Sequence, residues 1–309
     1  MAYQLNFNSD NCSSACPEVM AALIAANSGE QGSYGIDAET AKVAELLKQA
    51  FETDALQSYP VATGTAANAL AVASSTASYQ CLFCTRAAHL YEDELGCPEL
   101  FSGGAKLISV DELPGAENAG KMDPAHLAEL LGHLRPVVHE SQAAAVSITQ
   151  PTEYGTVYSL EEIRTISAIA KTNGLLFHMD GARFGNAVAN LGCTPAEMTW
   201  RCGVDILSFG ATKNGAMCAE SIVYFEDAVD TSGGEGAASQ SAGEYSTGDA
   251  GPPDLRVQAP WSLNVGQAAD RAPIHRKRTG HLFSKMRYIS AQVRGSRSNL
   301  AHRSIVLCL

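Results

Sequence analysis

The stretch GVDILSFGATKNG, residues 203–215, indicates the fold class of this chain. It begins with residues typical of a buried β-strand and ends in a small polar turn that carries a lysine, Lys213. A second strand-like stretch, LLFHMD at 175–180, precedes it, and residues around 184–201 between the two have helical character. Strand, helix and strand in this order predict an α/β fold with a mostly parallel sheet.

Helix and strand signals elsewhere continue the same alternation. PEVMAALIAANSG at 17–29 has a proline in its first turn and a glycine past its end, and Asp37 caps a second helix. An alanine-rich helix is predicted at 65–77 and a short buried strand at 143–149. Ser159–Glu162 is a capping box that opens another helix. In such folds ligands gather at the carboxyl ends of the strands.

Composition excludes several classes of protein. The chain has 309 residues, 46% of them hydrophobic, which is enough for roughly two domains of about 150 residues each. The formal net charge of −12 argues against binding to nucleic acid or to an anionic membrane, since either favours a basic surface. We find no signal peptide, and no apolar run approaches the ~18 residues of a membrane span. A cytoplasmic protein with free thiols is expected.

The motif CLFC at Cys81–Cys84 raises the alternative of a zinc or redox site, with His89 and Cys97 nearby. The surrounding YQCLFCT is typical of a strand, on which residues three apart point to opposite faces. The two thiols are therefore expected not to converge on one metal ion, and no metal is predicted.

The character of the chain changes after Phe225. Residues 227–260 are rich in glycine, serine, alanine and aspartate, so we predict a large domain over 1–226 and a disordered insert over 227–275. Residues 276–292, RKRTGHLFSKMRYISAQ, regain helical spacing and begin a short C-terminal remnant, 276–309.

Six polar or small residues follow predicted strands or enter a predicted helix, and a parallel sheet can bring them into one cleft. They are Gly64, Thr65, His89, Asp180, Arg183 and Lys213. Taken singly, each has an ordinary structural interpretation, as a turn, a helix start or a solvated strand end. Their joint occurrence in this order favours a site.

The set suits pyridoxal 5′-phosphate. A helix N-terminus at Gly64 and Thr65 offers amides and a dipole to the phosphate. Asp180 suits the pyridine nitrogen, which needs a carboxylate to stay protonated, and Lys213 offers the amine that bonds to the aldehyde. His89 is placed to stack on the ring, and an anionic group of cofactor or substrate suits Arg183.

The sequence also resembles the threonine aldolases of the β-eliminating lyase group, among the fold-type-I pyridoxal-phosphate enzymes. The likeness covers about 1–226 and 276–292, in the blocks FNSDN, YGIDAET, VATGTAANALA, AAHLYEDELGCPELFSGGAKL, HMDGARFGNAVA, GVDILSFGATKNG and RKRTGHLFSKMRYISAQ. It implies an aspartate-aminotransferase-like large domain with a mostly parallel sheet, in a homodimer or homotetramer. The implied reaction cleaves L-threonine-like β-hydroxy-α-amino acids to glycine and an aldehyde. A β-eliminating lyase or transaminase, or a catalytically impaired relative that binds the cofactor, remains the alternative.

The resemblance implies a role for each matching residue. Lys213 would bond to the cofactor, with Asp180 on the ring nitrogen, His89 stacked on the ring, and Gly64 and Thr65 on the phosphate. Ser9 and Arg183 would bind the substrate carboxylate, and Glu94, five residues after His89, would assist proton transfer.

Two departures from the family pattern affect the expected activity. About fifty polar residues interrupt the likeness before Arg276, and after Gln292 it stops, without a counterpart of another family arginine for the substrate carboxylate. A retained non-coding segment or a shifted reading frame is one explanation. An unpartnered substrate carboxylate costs roughly 2–5 kcal/mol, or about 30- to several-thousand-fold in affinity. We therefore expect cofactor binding with weak aldolase activity.

Overall fold

A seven-stranded sheet forms the centre of the protein, with strand order β1-β7-β6-β5-β4-β2-β3. The structure is a computed structural model that describes residues 9–231 and 263–301, with side chains as far as Ser296. The strands are β1 (Leu56–Val61), β2 (Gln80–Thr85), β3 (Lys106–Val110), β4 (Gln142–Thr149), β5 (Leu176–Gly181), β6 (Ile206–Gly210) and β7 (Glu220–Phe225). Only β7 runs antiparallel to its neighbours among these seven, so the other six strands end at one edge, here called the carboxyl edge.

Helices cover both faces of the sheet. They are α1 (Pro17–Ala26), α2 (Ala38–Phe51), α3 (Gly64–Ser75), α4 (His89–Glu92), α5 (Cys97–Ser102), α6 (Pro124–His133), α7 (Leu160–Thr172), α8 (Phe184–Leu191), α9 (Pro195–Met198), α10 (Val265–Arg278) and α11 (Arg287–Ala301). One apolar cluster includes residues of α2, α7, α8 and α11, and a second includes residues of α3 and α10. The predicted α/β class with a mostly parallel sheet is confirmed.

The strand assignment for the CLFC motif is also confirmed, and it separates the two cysteines. Cys81 is buried in the first apolar cluster and Cys84 in the second, on opposite faces of β2. Burial raises the pKa of the Cys81 thiol to about 11. Both cysteines therefore act as small core residues.

Two sequence expectations differ from the structure in the C-terminal part. Residues 265–275, assigned to the disordered insert, belong to α10, which starts with a capping box of Asn264 and Gln267 and buries alanines on its sheet-facing side. The helix expected over 276–292 is instead divided, because the chain turns after Arg278 and Gly280 takes a left-handed conformation with φ of +78°. The rest of the predicted insert, 232–262, lies outside the described residues.

Gly210 allows the end of β6 to lie close against the turn that follows β5. A Cβ atom at this position would lie 2.3 Å from the carbonyl oxygen of Ala182, which no side chain tolerates. Because β5 carries Asp180 at its end and β6 leads to Lys213, this close packing brings the two strand ends together. Among the described residues, no helix is long and apolar enough to cross a membrane.

Candidate active site

Asp180 lies at the centre of the carboxyl edge, on β5, where it is 2% exposed. Its Oδ1 accepts a hydrogen bond from the amide of Ala182 at 3.0 Å, and its Oδ2 accepts one from Nδ2 of Asn68 at 2.9 Å. A carboxylate has about four lone-pair directions, so each oxygen retains capacity for a further donor. The site therefore presents a buried, oriented carboxylate with room to accept another hydrogen bond.

Asn68 connects Asp180 to a second buried carboxyl group. Asn68 lies one turn into α3, and its Nδ2 also donates to Oε1 of Glu94 at 2.9 Å. One amide group thus uses its two hydrogens on two carboxyl groups. The shared amide donates to both carboxyl groups, and the charge of Asp180 still raises the pKa of Glu94.

His89 completes this network. Its Nδ1 lies 2.9 Å from Oε1 of Glu94, and its side chain is about one third exposed whereas that of Glu94 is fully buried. The hydrogen bond to Glu94 is the largest influence that raises the pKa of His89, against the opposing effect of burial. Burial also raises the pKa of Glu94, while the bonds from His89 and Asn68 hold it down.

A neutral histidine lies beneath Asp180 on the same face of β5. His178 is fully buried, between the hydroxyl of Ser147 on Nδ1 at 2.8 Å and that of Ser208 on Nε2 at 2.9 Å. Burial lowers the pKa of His178 to about 4, so the ring is uncharged near neutral pH. The negative charge of Asp180 is consequently not neutralised from below.

The amino end of α3 reaches the same edge, because Asn68 of this helix contacts Asp180. Thr63 caps the helix through a hydrogen bond from the amide of Ala66 at 3.1 Å, and Gly64 and Thr65 form its first turn. Among the described residues, apart from its chain neighbours and the backbone of its own helix, no atom lies within 4 Å of a Cβ built on Gly64. The helix terminus is therefore open on this side, where its dipole favours an anion.

Lys213 lies in a short 3-10 turn, Thr212–Asn214, that directly follows β6. The neighbouring Glu220 is 6% exposed, and its Oε2 accepts a hydrogen bond from the amide of Ala211 at 2.7 Å. Burial is the main cause that raises the pKa of Glu220 to about 7; the charge of Asp180 also raises it, and that of Lys213 lowers it. Because β6 runs parallel to β5, with Ser208 opposite Asp180, Lys213 lies at the same edge as Asp180.

Arg183 follows β5 and binds two carboxylates. Its Nε donates to Asp10 at 2.5 Å and its Nη1 lies 3.5 Å from Glu153. The hydroxyl of Ser9 accepts the amide of Asn11, so Asp10, not Ser9, is the N-terminal residue bonded to Arg183. The expected pairing of Ser9 and Arg183 on a substrate carboxylate stays a prediction.

The structure therefore brings His89, Glu94 and Asp180 into one hydrogen-bonded network and places Lys213 and the amino end of α3 at the same edge. Sequence reasoning missed Asn68, Glu220 and Asp10. Asn68 stands four residues after Gly64 in the helix-start motif, so its one-turn spacing was a usable signal. Nothing in the local sequence marked Glu220, because its position depends on the pairing of β7 with β6.

Solved structures with the same architecture define the class of the protein. The chain superposes on a threonine aldolase from Leishmania major with a TM-score of 0.72 and 23% identity, over 94% of this chain and 72% of that one. It superposes on aspartate aminotransferase from Thermus thermophilus with a TM-score of 0.61 and 12% identity, over 93% and 65% of the two chains. The fold is thus the aspartate-aminotransferase-like α/β fold, fold type I.

Sequence comparison identifies the family within that class. A sequence model of the family described as beta-eliminating lyase matches residues 6–302, and the chain belongs to this family. Two curated relatives are named low specificity L-threonine aldolase, from Pseudomonas sp. (strain NCIMB 10558) and from Pseudomonas aeruginosa. They are 46% and 45% identical over 219 residues, or 71% of this chain. The match spans 61% of the length of each relative.

Proposed function

We propose that this chain binds pyridoxal 5′-phosphate at the carboxyl edge and cleaves L-threonine-like β-hydroxy-α-amino acids to glycine and an aldehyde. The observation that carries the proposal is the network of His89, Glu94, Asn68 and Asp180, at the edge that also holds Lys213. The family, and the activity named for the two Pseudomonas relatives, support the same function.

The residues present fit the cofactor. The open side of Gly64 and the helix dipole of α3 suit its phosphate, and the spare acceptor capacity of Asp180 suits its protonated ring nitrogen. Two buried atoms of the network, Oδ1 of Asn68 and Oε2 of Glu94, have no hydrogen-bond partner in the described part of the chain. Buried polar atoms are seldom left unpaired, so they indicate a site built for a polar ligand.

When bound, pyridoxal phosphate supplies an aldehyde that bonds to an amine and a ring that accepts electrons from a breaking bond. Lys213 would provide the amine that holds it in the absence of substrate. Asp180 would keep a proton on the ring nitrogen, and the uncharged His178 beneath adds no competing positive charge. His89 would stack on the ring.

His89 and Glu94 move the proton of the substrate hydroxyl. With the Nδ1 hydrogen donated to Glu94, Nε2 of the neutral imidazole is free to accept the proton from the β-hydroxyl group. Glu94 then stabilises the imidazolium that forms. Arg183 and Ser9 bind the substrate carboxylate, for which Arg183 offers N–H groups in addition to those used by Asp10 and Glu153.

We further propose a cytoplasmic location and a homodimer or homotetramer. Eight cysteines of the described residues are free thiols, as a reducing compartment favours. Leu95 and Leu100 are exposed large apolar residues, and Leu95 directly follows Glu94. A subunit contact at Leu95 would cover the site from the side of α4.

The direct test is product analysis with cofactor present. L-Threonine and L-phenylserine should yield glycine and the matching aldehyde, with L-threonine saturating only above the millimolar range if the expected weak affinity holds. Ammonia and a keto acid would instead identify a β-eliminating lyase or transaminase. A bound chromophore without turnover would identify a catalytically impaired relative.

Lys213→Ala should abolish covalent attachment of the cofactor with little change in unfolding midpoint, because Lys213 lies in a turn outside the apolar clusters. Borohydride reduction followed by peptide mapping should locate the cofactor on Lys213 of the parent chain. Lys171, on α7, serves as the internal comparison, since its amine is paired with the buried Asp205 just before β6. A label on Lys171, or on no lysine, would contradict the assignment.

A further inference from the structure

The loop between β6 and β7, residues 211–219, is here called the lysine loop because it carries Lys213. Its two ends are tied to each other. The amide of Ala219 donates to Oγ1 of Thr212 at 3.1 Å, and the amide of Ala216 donates to the carbonyl oxygen of Ala211 at 3.0 Å. Together with the bond from Ala211 to Glu220, these contacts fix the part of the loop nearest the sheet.

The outer part of the lysine loop is held from a different element. Met217 and Cys218 have exposed side chains, and their backbone amides both donate to Oε1 of Gln292 at 3.0 Å. Gln292 itself is 4% exposed. It lies on α11, whose Ile289 and Val293 are part of the first apolar cluster. One side-chain oxygen from the C-terminal helix therefore accepts two consecutive amides of the loop.

We propose that Gln292 is a positioning residue for Lys213. Gln292 fixes the lysine loop through these two amides, and the placement of Lys213 therefore depends on α11. The relevance to catalysis rests on the function proposed above, whereas the control of the loop does not. In the described part of the chain, the hydrogen bonds of Gln292 to the loop are those to the two amides and a long one from its Nε2 to Sγ of Cys218 at 3.9 Å.

The effect of removing Oε1 of Gln292 depends on how exposed the lysine loop is. A buried amide without an acceptor destabilises the whole fold, but amides beside exposed side chains can turn to water instead. Removing the acceptor should therefore release the loop locally and leave the core intact. The expected signature is faster opening of residues 217 and 218, with a smaller effect on global unfolding.

The experiment compares three single variants of the full chain. Gln292→Met keeps the length of the side chain and removes the acceptor, and Gln292→Glu restores an acceptor at the same position. Arg294→Gln is the matched control, because it removes the ion pair between α11 and Glu39 of α2 without touching the lysine loop. Amide hydrogen exchange is measured on cofactor-free protein, and the rate of borohydride-trapped attachment of pyridoxal phosphate to Lys213 is measured separately.

Gln292→Met should raise exchange at Met217 and Cys218 at least tenfold, which corresponds to about 1.4 kcal/mol of local opening free energy. It should also slow attachment at Lys213, and Gln292→Glu should restore both quantities towards the parent values. Parent-like exchange in Gln292→Met would overturn the proposal. Equal acceleration over the whole of α11 in both Gln292→Met and Arg294→Gln would also overturn it, since Gln292 would then serve only to dock the helix. If the parent chain takes up no cofactor at Lys213, the proposed function fails, and the exchange results still decide the role of Gln292.

Discussion

Asn68 sets the charge distribution of the site, because it holds two buried carboxyl groups together with one amide. The pKa values of the two histidines in this region, His89 and His178, are shifted in opposite directions. Hydrogen bonding to Glu94 raises the pKa of His89, whereas burial lowers that of His178. His89 therefore holds a proton more readily than His178 does.

Glu94→Gln should lower the pKa of His89, because a neutral amide stabilises the imidazolium less than a carboxylate does. The stabilisation that a raised histidine pKa provides is fully present below the unfolded value of about 6.5 and is lost as the pH rises through the folded value. The difference in stability between parent and variant should therefore shrink above that range. NMR titration of the histidine ring signals measures the pKa directly, and an unchanged His89 titration would contradict the assigned cause.

Glu220→Gln should remove a pH dependence of stability. The pKa of Glu220 rises from 4.5 to about 7 on folding, so the folded state favours its protonated form. The folded state then binds more protons between these values, and the stability of the parent falls as the pH rises from about 4.5 to 7, by up to about 3 kcal/mol. Glutamine resembles the protonated carboxyl group, so the variant should show a flatter profile in urea unfolding at pH 5 to 8. Glu226→Gln, an exposed change just past the other end of β7, is the matched control. Parallel profiles for parent and Glu220→Gln would show that the carboxyl group titrates normally.

At the scale of elements, α3 connects the core to the site. All of its residues from Ala66 to Ser75 are buried, and most are small, which lets the helix lie between the sheet and α10. Its amino end nevertheless remains open at Gly64. The same element therefore supplies core packing at one end and a candidate anion site at the other.

Gly64→Ala should leave the fold intact and weaken cofactor binding, by roughly tenfold or more if the phosphate approaches the first turn of α3 as proposed. The added methyl group meets no atom of the described residues within 4 Å beyond its own helix and chain neighbours, so a loss of affinity would arise from the ligand side. Gly210→Ala is the contrasting variant, because its Cβ would overlap the carbonyl oxygen of Ala182 and should destabilise the protein. Equilibrium titration with pyridoxal phosphate, followed by thermal unfolding, separates the two effects. Full cofactor affinity in Gly64→Ala would place the phosphate elsewhere.

At the scale of the whole molecule, apolar groups near the site remain exposed. Leu95 is fully exposed and takes a left-handed conformation with φ of +49°, which a leucine rarely adopts. Leu100, on α5, is also exposed. Both side chains would be covered if they lie in the subunit interface of the homo-oligomer proposed above.

Leu95→Asn should reduce assembly of the chain in solution. Asparagine tolerates the left-handed conformation better than leucine, so the variant loses apolar surface without added backbone strain. Light scattering at micromolar concentration should show a homo-oligomer for the parent and a shift to smaller species for the variant, with similar unfolding of the protomer. A monomeric parent, or an equally assembled variant, would contradict the proposed interface.

The sequence by itself determined the alternation of strands and helices, because hydrophobic periodicity, caps and glycines are local signals. It also predicted Lys213, Asp180 and His89 as site residues from their places after strand ends, and Glu94 through the family resemblance alone. Sequence reasoning missed residues whose positions depend on contacts between distant segments of the chain. The pairing of β7 with β6 brings Glu220 beside the lysine loop, and the packing of α11 brings Gln292 onto its outer amides. Burial, which raises the pKa of Glu220 and lowers that of His178, likewise depends on atoms contributed by many segments. Only the tertiary structure decides such contacts, because desolvation and hydrogen-bond geometry are properties of the assembled neighbourhood and not of the residue or its neighbours in sequence.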